Sequence, residues 1–274
     1  MPELSELLPM VALILAIGAL GGVIAGLLGV GGGIVLVPAF YFAFEGLGYG
    51  PDGLMQICLA TSLATIVVTS LRSVHGHNKK GAVDWDILKA WGPGIVIGSA
   101  LGVVAASGLR NEALMIIFGV LGMIVGLYMA FGRAEWRLGD AMPGGVGTAV
   151  SSPVLGFLSV LMGIGGGSFG VPMMTLYGQP IHRAVATAAG FGLLIAVPSV
   201  IGFLLVSGDG ANRPPFTVGQ VNLVAFGLVV AMTLITTPLG VRLAHALDPK
   251  LLKRVFAFFI ILMALNMLRK AFGF

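Results

Sequence analysis

Charged side chains are scarce in this chain, at 9% of its 274 residues, against about 25% in a soluble domain. Hydrophobic residues make up 57% and mean hydropathy is +1.04, which excludes a water-soluble globule. The apolar runs are also too long for barrel strands, which alternate apolar and polar residues over about ten positions. The spanning elements must be α-helices, which satisfy their own backbone hydrogen bonds in lipid. There is one cysteine, Cys58, so no intrachain disulfide can form and a Cys/His metal site lacks ligands. The bases form no groove-length cluster despite a net charge of +4, which removes nucleic acid as a partner. No carboxylate lies deep in an apolar segment; the nearest, Asp84 and Asp86, stand at a helix start, where an acidic N-cap is ordinary. An intramembrane enzyme would need a serine with a base or paired membrane aspartates. Neither is present, so no catalytic residue, metal or cofactor is expected. The N-terminus, MPELSELLPMVALILAIGAL, carries Glu3 and Glu6 where a signal peptide would be basic, and reads as the first helix of the mature protein.

Glycine, by contrast, is plentiful and patterned. GVGGGIVLVP at 29–38 and GIGGGSFGVP at 163–172 match at a constant offset of 134. LATS at 59–62 resembles VATA at 185–188, and Leu101-Gly102, Leu109, Phe118 and Leu127 match Leu239-Gly240, Leu247, Phe256 and Leu265 at offset 138. The chain therefore reads as two homologous halves, 1–135 and 140–274, in one membrane domain. Gly, Pro and charged breaks divide the halves into segments at 8–29, 34–44, 54–72, 87–106 and 112–131, then 146–163, 168–177, 184–206, 218–240 and 251–269. Five segments per half, an odd number, turn the second half upside down. The expected fold is an all-α membrane protein of two inverted-topology repeats, each with a broken, re-entrant helix at a Gly-rich tip.

The charges agree with this topology. With both termini outside, in the periplasm of a bacterial cell with the chain in its inner membrane, the inner loops hold eleven bases and the outer ones four, Arg110, Arg213, Arg269 and Lys270, as the positive-inside rule requires. The basic loop RSVHGHNKKG, with His75 and His77, reads as solvated. Gln179, His182 and Arg183 read as topology determinants at the inner face.

The short segments after the glycine motifs are about half as long as a ~30 Å hydrocarbon core. Pro38 and Pro172 should kink or end them. Glycines spaced by four at Gly18, Gly22 and Gly26, at Gly94, Gly98 and Gly102, and at Gly122 and Gly126 read as helix-packing contacts. Consecutive glycines cannot all face one neighbouring helix. Gly31, Gly32, Gly33 and Ile34, with Gly165, Gly166, Gly167 and Ser168, read instead as two tips whose exposed N–H groups and helix dipoles meet near the midplane around one small anion. Thr61, Ser62 and Thr187 lie at mid-depth and either complete that anion's shell or bond their own i−4 carbonyls. Thr65, Ser99, Thr236 and Thr237 are weaker candidates.

The paired GVGGG…P and GIGGG…P motifs in a chain of this length resemble the sulfite exporter TauE/SafE family of membrane transporters, over the whole chain. The resemblance implies passage of a small sulfur-containing or organic anion such as sulfite, sulfoacetate or a related sulfonate. The expected function is a secondary transporter exporting such an anion by alternating access; an anion channel is the alternative that sequence does not separate from a carrier. With no acid to carry a proton, export could run on the membrane potential, which gives ~2.3 kcal/mol per charge per 100 mV.

Overall fold

The computed structural model of the protein describes residues 4–28, 32–132, 136–206, 212–246 and 249–273. The described elements are α1 (Leu4–Leu28), α2 (Gly33–Gly46), α3 (Leu54–Asn78), α4 (Trp85–Gly108), α5 (Asn111–Phe131), α6 (Val146–Leu161), α7 (Gly167–Leu176), α8 (Ile181–Leu205), β1 (Thr217–Val218), β2 (Val221–Asn222), α9 (Leu223–Ala246) and α10 (Pro249–Ala271). This is an all-α membrane protein. Among the described residues four helices, α3, α4, α5 and α8, are long and apolar enough to cross a bilayer. The outer face of α4 presents Ile97, Leu101 and Val104, the last 72% exposed, a surface suited to lipid and not to water.

Hydrogen bonds and ion pairs sort the loops onto two ends of the bundle. At one end Asn212 donates to the Gly48 carbonyl, Lys270 contacts Glu45 and Met55 N donates to Asn111 Oδ1. At the other, Arg183 pairs with Asp84 and Leu138 N donates to the Leu176 carbonyl. α3 therefore runs from the first end to the second and α8 from the second to the first, and the two pack on each other at the centre.

Small residues fix the other neighbours. Gly18 of α1 faces Val229 and Met232 of α9, and Gly22 faces Thr233 and Thr236, so α1 and α9 run parallel. Gly94 and Gly98 of α4 face Ser152 and Pro153 of α6, and Gly102 faces Phe157 and Val160, a second parallel pair. Gly119 faces Leu268, and Gly126 faces Ile261, which sets α5 antiparallel to α10. Without a hydrophobic force between helices in lipid, close backbone approach is the source of contact energy. The spaced glycines are packing residues, as expected; Gly26 lies outside the residues whose surroundings are described.

The structure differs from the sequence expectation at several helix ends. Residues 73–78, read as part of a loop, continue α3 to Asn78, and the chain turns only at Gly81, whose φ is +63°. The fourth segment of the second half starts at Leu223, not 218, because a hairpin turning at Gly219 (φ +57°) occupies 217–222. That hairpin is held against the end of α8 by Gln220 N donating to the Phe203 carbonyl at 2.9 Å. α9 also runs on to Ala246, past the expected 240. Of the two outcomes expected for Pro38 and Pro172, a kink or an end, neither proline ends its helix, and each is the sixth residue of it. At 14 and 10 residues, α2 and α7 reach only about 21 and 15 Å at 1.5 Å per residue, short of a ~30 Å core.

Candidate functional site

The second tip is built as a helix stop followed at once by a helix start. Ile164 N donates to the Ser159 carbonyl and Gly163 N to the Val160 carbonyl, both at 2.9 Å, with Gly163 at φ +61°. This is a Schellman motif, and it needs a residue that adopts the left-handed region. Only Gly170 N, donating to the Gly166 carbonyl at 2.8 Å, opens the bonding of α7. Among the described residues no acceptor meets the N–H groups of Gly165, Gly166, Gly167, Ser168 and Phe169.

At the first tip Gly32 caps α2 with φ +69°. Its carbonyl accepts from Val35 N at 3.0 Å and Leu36 N at 3.1 Å, which leaves the N–H groups of Gly32, Gly33 and Ile34 without an acceptor among the described residues. Gly31 lies outside the described residues.

The two tips touch. A Cβ on Gly33 would stand 2.8 Å from the Gly163 carbonyl oxygen and 3.0 Å from Ile164 Cα. Ile66 of α3 lies beside both, at 3.0 Å from that point and 3.1 Å from the corresponding point on Gly165. Gly32 to Leu36 and Gly163 to Ser168 are all buried. Two buried helix starts with unmet donors and positive dipole ends therefore face one region. The helix starts favour negative charge there, although the Gly163 carbonyl oxygen also lies at the contact, where it accepts from Ser62 Oγ.

Side chains add to this. Ser168 Oγ and Ser159 Oγ are buried with no hydrogen-bond partner. Ser159, in the last turn of α6, was not singled out from sequence; the signal was its match to Ala25 in the first half.

Thr61, Ser62 and Thr187 do not bond their own i−4 carbonyls; each makes a contact across the fold. Ser62 Oγ donates to the Gly163 carbonyl at 2.7 Å, tying α3 to the second tip. Thr61 Oγ1 accepts from Asn222 N at 3.0 Å, and Thr187 Oγ1 from Asp84 N at 2.9 Å. Asp84 and Asn222 are themselves N-caps: Asp84 Oδ1 accepts from Ile87 N at 3.1 Å and Asn222 Oδ1 from Ala225 N at 2.8 Å. Each threonine of one half thus seats the start of a long helix in the other. Of the weaker candidates, Ser99 bonds its i−4 carbonyl, as do Thr236 and Thr237, while Thr65 bonds the carbonyl of Ser62.

A groove of about 670 Å³ lies elsewhere, between α4 and the start of α6, lined by Asp86, Trp91, Met142, Thr148 and Pro153. It contains none of the tip residues. Its lining is mostly apolar, and it is separate from the two tips. Among the described residues no three His, Cys, Asp or Glu gather in reach of one metal ion.

The profile of the family described as Sulfite exporter TauE/SafE matches residues 14–267. The chain belongs to this family. A probable membrane transporter protein of Haemophilus influenzae is 29% identical over 260 residues, covering 95% of this chain and 98% of that protein. Another, from Methanocaldococcus jannaschii, is 26% identical over 265 residues, covering 96% and 97%. No solved structure matches. In this TauE/SafE protein the family match runs through both glycine tips and the long helices that seat them, so the candidate site lies inside the matched region.

Proposed function

We propose that this protein is a secondary transporter that exports a small sulfur-containing or organic anion, such as sulfite, sulfoacetate or a related sulfonate, across the inner membrane. The observation that carries the proposal is the meeting of two buried half-helix starts whose N–H groups have no acceptor. A buried backbone donor without a partner is costly, and eight of them at two touching tips call for a ligand rich in acceptor oxygens. Helix starts pointed at the midplane are also the recurrent device of carriers built from inverted repeats.

We infer that the halves, 1–135 and 140–274, are such repeats. The opposed courses of α3 and α8 support this, as does the pairing of α1 with α9 against that of α4 with α6. The exchanged bonds Thr61 to Asn222 and Thr187 to Asp84 support it further, since Thr61 matches Thr187 at offset 126 and Asp84 matches Asn222 at offset 138. Alternating access would then consist of the two halves exchanging arrangements, with the Asn212–Gly48 end outside and the Asp84–Arg183 end in the cytoplasm.

Flux of ethanesulfonate and sulfite from proteoliposomes, under potentials set with valinomycin, tests this. Export should accelerate when the compartment of origin is made negative, because no acid in the membrane compensates the moving charge. Flux indifferent to potential and driven by an imposed pH gradient would overturn the uncoupled mechanism. The absence of flux for every anion would overturn the function.

A further inference from the structure

The side chains around the two tips are not alike. Ser159 is fully buried and Ser168 is 5% exposed, and neither hydroxyl has a partner. Both flank the second tip. A third hydroxyl, that of Ser70 on α3, lies against Gly192, which in turn backs onto Gly166. In the matched register the first tip has Ala25 for Ser159 and Ile34 for Ser168, and α8 has Ala196 for Ser70. Hydroxyls thus gather at one tip, and the other presents branched carbon from Ile34, with Ile66 between them. The backbone follows the same division. Among the described residues, five N–H groups lack an acceptor at the second tip and three, those of Gly32, Gly33 and Ile34, at the first.

A buried hydroxyl with no partner carries a desolvation cost that a ligand oxygen relieves. An isoleucine wall does the reverse, stripping water from any oxygen placed on it and returning no hydrogen bond. We infer, resting on the anion site proposed above, that the ligand is held asymmetrically. Its oxyanion head lies at the second tip, against the N–H groups of Gly165 to Phe169 and the hydroxyls of Ser159 and Ser168, and a carbon-bearing remainder lies against Ile34 and Ile66. The substrate is then an organic oxyanion with a single charged head, of the alkanesulfonate or short carboxylate kind. A tetrahedral inorganic anion, with oxygens on every side, would turn at least one of them to the isoleucines. Ser159 and Ser168 set affinity, and Ile34 sets the preference for carbon.

The test is calorimetric titration of the full chain in nanodiscs with sodium ethanesulfonate and with sodium sulfate at matched ionic strength. Ethanesulfonate should bind at least about tenfold tighter, although sulfate carries twice the charge. Ser168→Ala and Ser159→Ala should each weaken ethanesulfonate about tenfold, the loss expected for one hydrogen bond to a charged group. Ile34→Ser should narrow the gap by tightening sulfate. Melting temperature and elution volume, unchanged from the parent, show that each variant is folded; Ser168→Cys, which keeps a weak donor, is the milder companion to Ser168→Ala. Sulfate binding as tightly as ethanesulfonate, or serine variants without effect, overturns the asymmetry and leaves the anion site standing. Binding of neither salt overturns both.

Discussion

Gly32 and Gly166 occupy the same position of the same motif, each capping a short helix, yet they adopt opposite backbone conformations. Gly32 has φ +69° and Gly166 has φ −62°. At Gly32 the requirement is conformational, since a left-handed residue with a Cβ costs roughly 1–2 kcal/mol. At Gly166 any residue could adopt the backbone, but a Cβ would meet Phe191 Cβ, stand 2.6 Å from the Ala188 carbonyl oxygen and 2.8 Å from Gly192 N. One glycine provides a turn and the other lets α7 lie on α8. A repeated motif therefore does not imply a repeated physical reason, and the two reasons are separable by substitution.

The largest effect follows from this difference. Asparagine tolerates the left-handed region, so Gly32→Asn should leave melting temperature and monodispersity in detergent close to the parent's. Gly166→Ala adds one carbon against backbone atoms that cannot rotate away, and overpacking of this kind costs about 1–3 kcal/mol or more. It should aggregate or melt well below the parent. Equal behaviour of the two variants would remove the distinction.

A smaller and more symmetrical effect is expected at the exchanged threonines. Thr61→Val and Thr187→Val each remove the acceptor of a buried N–H, at Asn222 and Asp84, for about 1–3 kcal/mol. Valine has nearly the same shape, so packing is preserved and the lost bond is what is read. The two sites share no partner, and the double variant should be additive within about 0.5 kcal/mol. Strong coupling in thermal or denaturant unfolding would mean that the two seats report one shared rearrangement.

Much of this was legible beforehand, for identifiable reasons. Helix extents follow from apolar runs and breaks, and they fell within a few residues of those observed. Where they did not, as at 73–78 and 217–222, a tertiary contact or a turn glycine set the boundary and hydropathy carried no sign of it. The GxxxG contacts were readable because spacing by four residues puts small side chains on one face. The roles of Thr61 and Thr187 were not, because a buried hydroxyl in a helix has its own i−4 carbonyl as the ready partner, and only the fold brings Asn222 and Asp84 within reach. Ser159 was missed because a serine in an apolar helix is unremarkable until its hydroxyl is seen to lack that bond.

The smallest effect concerns the one charge that distinguishes the two seats. Asp84 is held by Thr187 and, in addition, by Arg183 at 3.4 Å; Asn222 is neutral and is held instead by donating to the Pro215 carbonyl at 2.9 Å and to Thr217 Oγ1 at 3.0 Å. The Arg183 side chain is 51% exposed, so water and salt screen the pair, and such pairs contribute about 0–1 kcal/mol. Arg183→Gln should therefore lower stability by at most that amount, and the loss should shrink as ionic strength rises. Its effect should couple to Thr187→Val, since both hold Asp84, and add simply to Thr61→Val, since that site shares no partner with it. A double-mutant cycle in which Arg183 couples to Thr61 and not to Thr187 would show that the charge acts across the bundle, and the two seats could then no longer be treated as independent.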